Sequence, residues 1–200
     1  MKIHILFGMI GFILLSGCNR AAEKNPRFYD AGVSRELAGH RKAQIKNLKY
    51  ELSFNIPRQK EAAIEGDITL RFDLASRQEV LIDFREEREK IKEVIANGVP
   101  VDKVRFENEH IILPASSTVE GANGIRIRFT AGNQSLNRND EYLYTLLVPD
   151  RARTVFPCFE QPNLKAEFTL QLELPADWKA VSNTYIRSET VTDDRKTVCF

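Results

Sequence analysis

The side chains able to do metal or nucleophilic chemistry are few in this sequence, and their spacing does not suit that chemistry. The three histidines, His4, His40 and His110, are followed by Ile5, Arg41 and Ile111. A metallohydrolase of the H-E-x-x-H kind needs two imidazoles one helical turn apart, with a glutamate between them as base. No pair here has that spacing, and no C-x-x-C occurs. His40 and His110 read as surface or rim residues. Serines such as Ser116, Ser117 and Ser135 sit in loop contexts without a G-x-S-x-G elbow. "EGANGI" (120–125) reads as a hairpin-type turn rather than a phosphate loop, and "REEREK" (85–90) as a solvated mixed-charge face. From the side chains alone there is no catalytic residue, no metal site and no cofactor site.

One thiol does have a chemical setting. "MKIHILFGMIGFILLSGC" opens with Lys2 and is almost wholly apolar from Ile5 to Leu15. That is the length of a secretory h-region and too short for a membrane span. It ends in Leu15-Ser16-Gly17-Cys18, which resembles a bacterial lipobox. Cleavage before Cys18 would leave that thiol to carry acyl chains, and a multiply acylated cysteine anchors stably to a membrane. The expectation is a lipid-anchored protein of the bacterial cell envelope, with the membrane as partner through Cys18. The rest of the composition points to no other charged partner. Lys plus Arg total 29 and Asp plus Glu 28, a net charge of +1, with the basic residues spread along the chain. This gives no sign of nucleic-acid binding. Cys158 and Cys199 read as unpaired, largely buried thiols.

The elements that carry these residues follow from periodicity. Residues 19–31 are polar and weakly patterned, as a tether would be, and Ser34 is placed to cap a short helix over 34–43. From Ile45 the apolar period becomes two. Leu48, Tyr50, Leu52, Phe54 and Ile56 alternate with polar residues; so do Ile64, Ile68, Leu70, Phe72 and Leu74, and later Ile125, Ile127 and Phe129. Val80, Ile82 and Phe84 make a shorter strand. Asn97-Gly98 and Asn108 mark two hairpins. "EYLYTLLV" (141–148) is apolar enough for a strand buried on both faces, and strands are expected at 166–174 and in "KAVSNTYIRS". Nine or ten closely spaced strands with one-sided alternation predict an all-β, antiparallel two-sheet sandwich or saddle. The expected organisation is a signal peptide over 1–17, a tether and helical arm over 18–44, and a β domain over 45–200. That domain reads as truncated at its C-terminal edge, because Thr197 to Phe200 is an apolar strand with no linker after it.

One stretch breaks the pattern. "RTVFPCFEQPNLKAEF" (153–168) puts Phe156, Pro157, Cys158 and Phe159 into a loop, where polar residues are the rule. With the preceding strand it closely resembles a segment of the aminopeptidase N family of zinc metallopeptidases, roughly Y-x-Y-T-Q-x-[E/Q]-x-x-x-A-R-x-x-F-P-C-F-D-E-P-x-x-K-A-x-F. The matches include Tyr144, Thr145, Ala152, Arg153, Phe156, Pro157, Cys158, Phe159, Pro162, Lys165, Ala166 and Phe168, with Glu160 and Gln161 replacing the usual Asp and Glu.

The resemblance covers about residues 40–200 and implies the N-terminal saddle-shaped β domain of such an enzyme, packed against a catalytic domain. In the family that catalytic domain carries zinc, H-E-x-x-H and G-x-M-E-N. Neither motif is in this sequence, whose only methionines are Met1 and Met9. The expected function is therefore that of a non-catalytic domain, inactive alone, of an enzyme that removes N-terminal residues from peptides. Zinc belongs to the full-length family, and a catalytic domain supplied by another chain is a candidate partner. The alternative is a standalone lipid-anchored β-sandwich binding module.

The resemblance also implies a side chain that binds the substrate's free amino group, and alignment puts Val148 at its position, with Asp150 nearby. Valine cannot accept a hydrogen bond from an ammonium, and Val148 is expected simply to pack in a strand. Arg153, Glu160 and Lys165 are expected to form a structural ion-pair lattice around the bend. Pro157 and Pro162 would fix its path.

Overall fold

A computed structural model describes residues 25–139 and 141–200; the leader, Cys18 and most of the tether lie outside these residues. A 3-10 turn at Pro26–Tyr29 leads into helix α1 (Arg35–Gln44), whose Ser34 cap accepts a hydrogen bond from the Leu37 N–H. Thirteen strands follow. They are β1 (Ile45–Asn55), β2 (Glu65–Leu74), β3 (Val80–Asp83), β4 (Ile91–Ala96), β5 (Val99–Pro100), β6 (Arg105–Glu107) and β7 (His110–Leu113), then β8 (Gly121–Thr130), β9 (Leu136–Arg138), β10 (Leu143–Thr145), β11 (Glu167–Pro175), β12 (Ser188–Thr192) and β13 (Arg195–Cys199). The all-β expectation and the capped helix both hold.

The strands form an eight-stranded sheet in the order β12-β13-β11-β1-β2-β8-β4-β5, a three-stranded sheet β3-β7-β6, and the pair β9–β10. The large sheet is mixed, not purely antiparallel as alternation suggested. β1 and β11 run parallel, with Tyr50 opposite Phe168 and Leu52 opposite Leu170. Direction between neighbours is set by the connection. More than a hundred residues separate these two strands, ample for the crossover a parallel pair needs. Alternation reports which face is buried and is silent about direction.

The core lies between the two sheets. Leu48, Tyr50, Leu52, Ile68, Leu70, Phe72, Ile125, Ile127 and Phe129 of the large sheet meet Val80, Ile82, Ile111 and Leu113 of the small one. The opposite face of the small sheet, Leu81 and Ile112, packs on Leu37 of α1 and on Phe28 and Tyr29. A helical layer thus covers the small sheet, which explains why every residue of β3 and β7 is buried. The outer face of the large sheet is solvated and crossed by ion pairs: Lys49–Glu167, Glu51–Arg71, Asp67–Arg126 and Glu93–Arg128. Exposed pairs of this kind add little stability.

Both turn signals are realised. Asn97 and Gly98 have φ of 53° and 82°, and Asn108 and Glu109 have φ of 47° and 70°, the left-handed pair that closes a two-residue hairpin. Three other expectations are corrected. "EGANGI" is not a turn throughout: β8 starts at Gly121 and pairs with β2 along its length. "EYLYTLLV" is not a strand buried on both faces. Only Leu143–Thr145 is strand, it pairs with β9 alone, and Tyr142, Tyr144, Leu146 and Val148 are exposed. The pair β9–β10 stands outside both main sheets; Leu136 and Leu143 lean from it on the core, while Tyr142 and Tyr144 face out. Within "KAVSNTYIRS" the strand begins only at Ser188.

Candidate functional site: a buried joint around Asp83

The apolar loop is a joint between the two sheets. After a 3-10 turn at Ala152–Thr154 the chain runs along the free edge of β3. Cys158 and Asp83 exchange backbone hydrogen bonds of 2.8 and 3.0 Å. Phe156, Cys158 and Phe159 are buried. Phe156 meets Phe54 edge-on at 6.3 Å, and Phe159 meets Phe72 at 5.6 Å. These are the offset geometries aromatic rings prefer. Pro157 is buried and Pro162 exposed. The Phe159 N–H donates to the Tyr50 hydroxyl at 2.8 Å, tying the loop to β1.

Asp83 is the polar centre of this joint and is fully buried. Its Oδ1 accepts from Arg41 Nη2 at 2.6 Å and lies 2.8 Å from His110 Nδ1. Its Oδ2 accepts from Arg41 Nη1 and from the Glu160 N–H, both at 2.8 Å. One carboxylate therefore joins α1, β3, β7 and the loop. Burial alone would raise the Asp83 carboxyl; the Arg41 guanidinium and the His110 ring more than offset it and hold the group at about 2. Arg41 also donates to the Leu81 carbonyl at 2.8 Å and sits over the Phe159 ring, 5.1 Å from its centroid. His110 Nε2 contacts the Asp30 carbonyl at 3.0 Å, so the arm before α1 is attached to the same network.

His110 is thus a correction. It is not a surface or rim residue but is fully buried, because β3 and β7 put it opposite Asp83. His40 is partly buried, with Nε2 2.7 Å from Gln78 Oε1.

The expected lattice is also corrected. Arg153 is nearly buried, but its guanidinium meets Glu109 at 2.6 Å and Asp150 at 3.2 Å, not Glu160 or Lys165. Glu160 instead accepts the Arg153 backbone N–H at 2.7 Å. Burial raises the Glu160 carboxyl. Lys165 is exposed, as a long ammonium side chain prefers to be. Sequence reasoning missed Asp83, Arg41 and Glu109. The available signal was Asp83 itself, a lone acid in the otherwise apolar "VLIDF"; a buried carboxylate requires a cation.

Val148 is the last correction. It does not pack in a strand; it lies in a turn, 84% exposed, before a cis peptide to Pro149. Asp150 points its carboxylate at Arg153. Val148 itself has no side-chain acceptor, and the carboxylate of Asp150, two residues on, is 62% exposed.

The donor set does not fit the zinc that the resemblance implies for full-length relatives. Among the described residues no three His, Cys, Asp or Glu side chains gather closely enough to hold a metal ion. Both nitrogens of His110 face protein oxygens. Cys158 and Cys199 are free thiols. Burial, with the Glu160 and Asp83 charges, pushes Cys158 well above the ordinary thiol range, so it stays protonated and inert. Arg41, Asp83, His110 and the loop bind to one another, and the arrangement fastens the layers together.

The family model for the peptidase M1 N-terminal domain matches residues 46–200. Aminopeptidase N of Streptomyces lividans is 32% identical over 166 residues, covering 76% of this chain and 19% of the relative. Glutamyl aminopeptidase of Sus scrofa is 44% identical over 46 residues, covering 23% of this chain and 5% of the relative. An M1 zinc metallopeptidase from Deinococcus radiodurans superposes with a TM-score of 0.65 at 20% identity, over 78% of this chain and 38% of that one. The chain spans well under half the length of each. With motif, fold and buried joint in agreement, the chain belongs to the peptidase M1 family, as its N-terminal β domain.

Proposed function

We propose that this domain serves a zinc-dependent aminopeptidase, one that removes N-terminal residues from peptides, as the non-catalytic platform against which the catalytic part packs. The observation that carries the reading is the contrast across a few residues. The F-P-C-F joint is sealed, while the segment just before it leaves Tyr142, Tyr144, Leu146 and Val148 exposed. Contiguous exposed apolar side chains mark interaction surfaces. Zinc and the chemistry would belong to the other part, on the same or another chain.

The test is titration of this chain into the Streptomyces lividans relative lacking its own N-terminal domain. The expected result is binding with recovery of aminoacyl-arylamide hydrolysis, lost in a Leu146→Asp, Val148→Asp double variant. A double variant as effective as the parent would remove the strip from the account. Failure of the parent to bind at all would favour a standalone binding module.

The lipobox supports anchoring through an acylated Cys18 at a bacterial membrane. Seven peptide links separate Cys18 from Asn25, the first described residue, a reach of at most about 25 Å. That would hold the arm and α1 close to the lipid. Radiolabelled palmitate should enter the parent and not a Cys18→Ser variant; equal labelling of both would dismiss the anchor.

A further inference from the structure

His110 is fully buried on β7 and touches oxygen at both ring nitrogens. Nδ1 lies 2.8 Å from Asp83 Oδ1, and Nε2 lies 3.0 Å from the Asp30 carbonyl. Neither oxygen has a proton to give: a carbonyl only accepts, and Asp83 is held ionised. A neutral imidazole has one N–H and one lone pair. In either neutral tautomer a lone pair would therefore face an oxygen at hydrogen-bond distance. The imidazolium alone satisfies both contacts.

We infer that His110 is a pH-sensitive latch: with both ring protons it fastens the arm at Asp30 to the Asp83 joint, and on losing one it lets that stretch of the arm go. The proton lost is the one on Nε2, because the carboxylate is the stronger acceptor and keeps the Nδ1 proton. The Asp30 carbonyl then meets a lone pair, and attraction turns to repulsion. The groups around the ring favour a switch over a permanent charge. Asp83 from β3 also serves Arg41 from α1, so two cations share one anion. Glu109, beside His110 in the hairpin, is engaged by Arg85 and Arg153. Glu107, opposite it on β6, is exposed. From the loop, Cys158 stays protonated and Glu160 turns its carboxylate to the Arg153 N–H. The arm has further attachments just before the latch. Asn108 Nδ2 donates to the Tyr29 carbonyl at 2.8 Å, and Phe28 and Tyr29 pack on the small sheet. The latch therefore acts on Asp30 and Ala31. Its sense is opposite to that of Asp83: the arm is fastened at low pH and freed as pH rises. This inference is independent of the aminopeptidase reading.

Nuclear magnetic resonance of the isotope-labelled chain tests this, since ring nitrogen shifts separate an imidazolium from either neutral tautomer. Both His110 nitrogens should carry protons at about pH 6, and by about pH 9 the ring should be the Nδ1–H tautomer. The Asp30 and Ala31 amide signals should shift with the same midpoint as the ring. His40 is a second titratable ring, stacked on Phe28 with 4.8 Å between centroids, so the control retains it. In His110→Gln, whose amide can donate to the Asp30 carbonyl at any pH, the Asp30 and Ala31 signals should lose their pH dependence. The measurement on the parent does not need that variant to fold. A ring with one proton at about pH 6, a ring that keeps both to about pH 9, or one that becomes the Nε2–H tautomer overturns the proposal. So do Asp30 and Ala31 signals that ignore the ring's transition, or that keep their pH dependence in His110→Gln.

Discussion

At the scale of single residues, Asp83 decides most. Arg41 is buried with no other carboxylate bonded to it, so Asp83→Asn leaves a guanidinium in the interior without its counter-charge. Breaking a buried pair in this way costs about 3–5 kcal/mol, and denaturant unfolding should show that loss. The same group sets the acid limit. Its folded value, about 2, lies below the ordinary carboxylate value of 3.8. Its contribution is therefore fully present above about pH 4 and is lost as pH falls through 2. That amounts to about 2 kcal/mol, and the corresponding part of the acid unfolding limb should vanish in Asp83→Asn. Tyr50→Phe tests the adjacent bond: it leaves the buried Phe159 N–H without a partner and should cost about 1–3 kcal/mol.

At the scale of elements, the loop over 153–168 holds two sheets together through packed rings. Phe156→Ala should cost about 3–5 kcal/mol, because the cavity left between Phe54 and Phe156 cannot fully collapse. Gly66 is a second fixed point: a Cβ there would sit 2.3 Å from the Phe129 ring. Gly66→Ala should destabilise markedly, whereas Gly39→Ala, with open space around it, should be neutral or slightly stabilising. The elements themselves were largely legible. Strict alternation marked β1, β2 and β8, Asn-Gly marked one hairpin, and Ser34 marked α1, because each depends on local chemistry. What was hidden depends on distant partners. His110 read as a rim residue because nothing near it in sequence announces Asp83. "EYLYTLLV" read as a buried strand because hydrophobicity reports that a side chain should be covered, not whether this domain covers it.

At the scale of the whole molecule, the same limits shaped the outline. The sandwich was legible from strand count and one-sided burial. The parallel β1–β11 pair and the helical layer over the small sheet were not, since both follow from where long connections lead. The F-P-C-F motif carried the family, and residue-by-residue reading separated the motif from the chemistry. The central claim is that this chain is a structural domain whose polar network is spent on holding layers together. Zinc titration of the purified chain, followed by metal analysis and an aminoacyl-arylamide assay on the same sample, tests it most directly. The account predicts no stoichiometric zinc retained after dialysis and no hydrolysis; one zinc per chain together with turnover would contradict it.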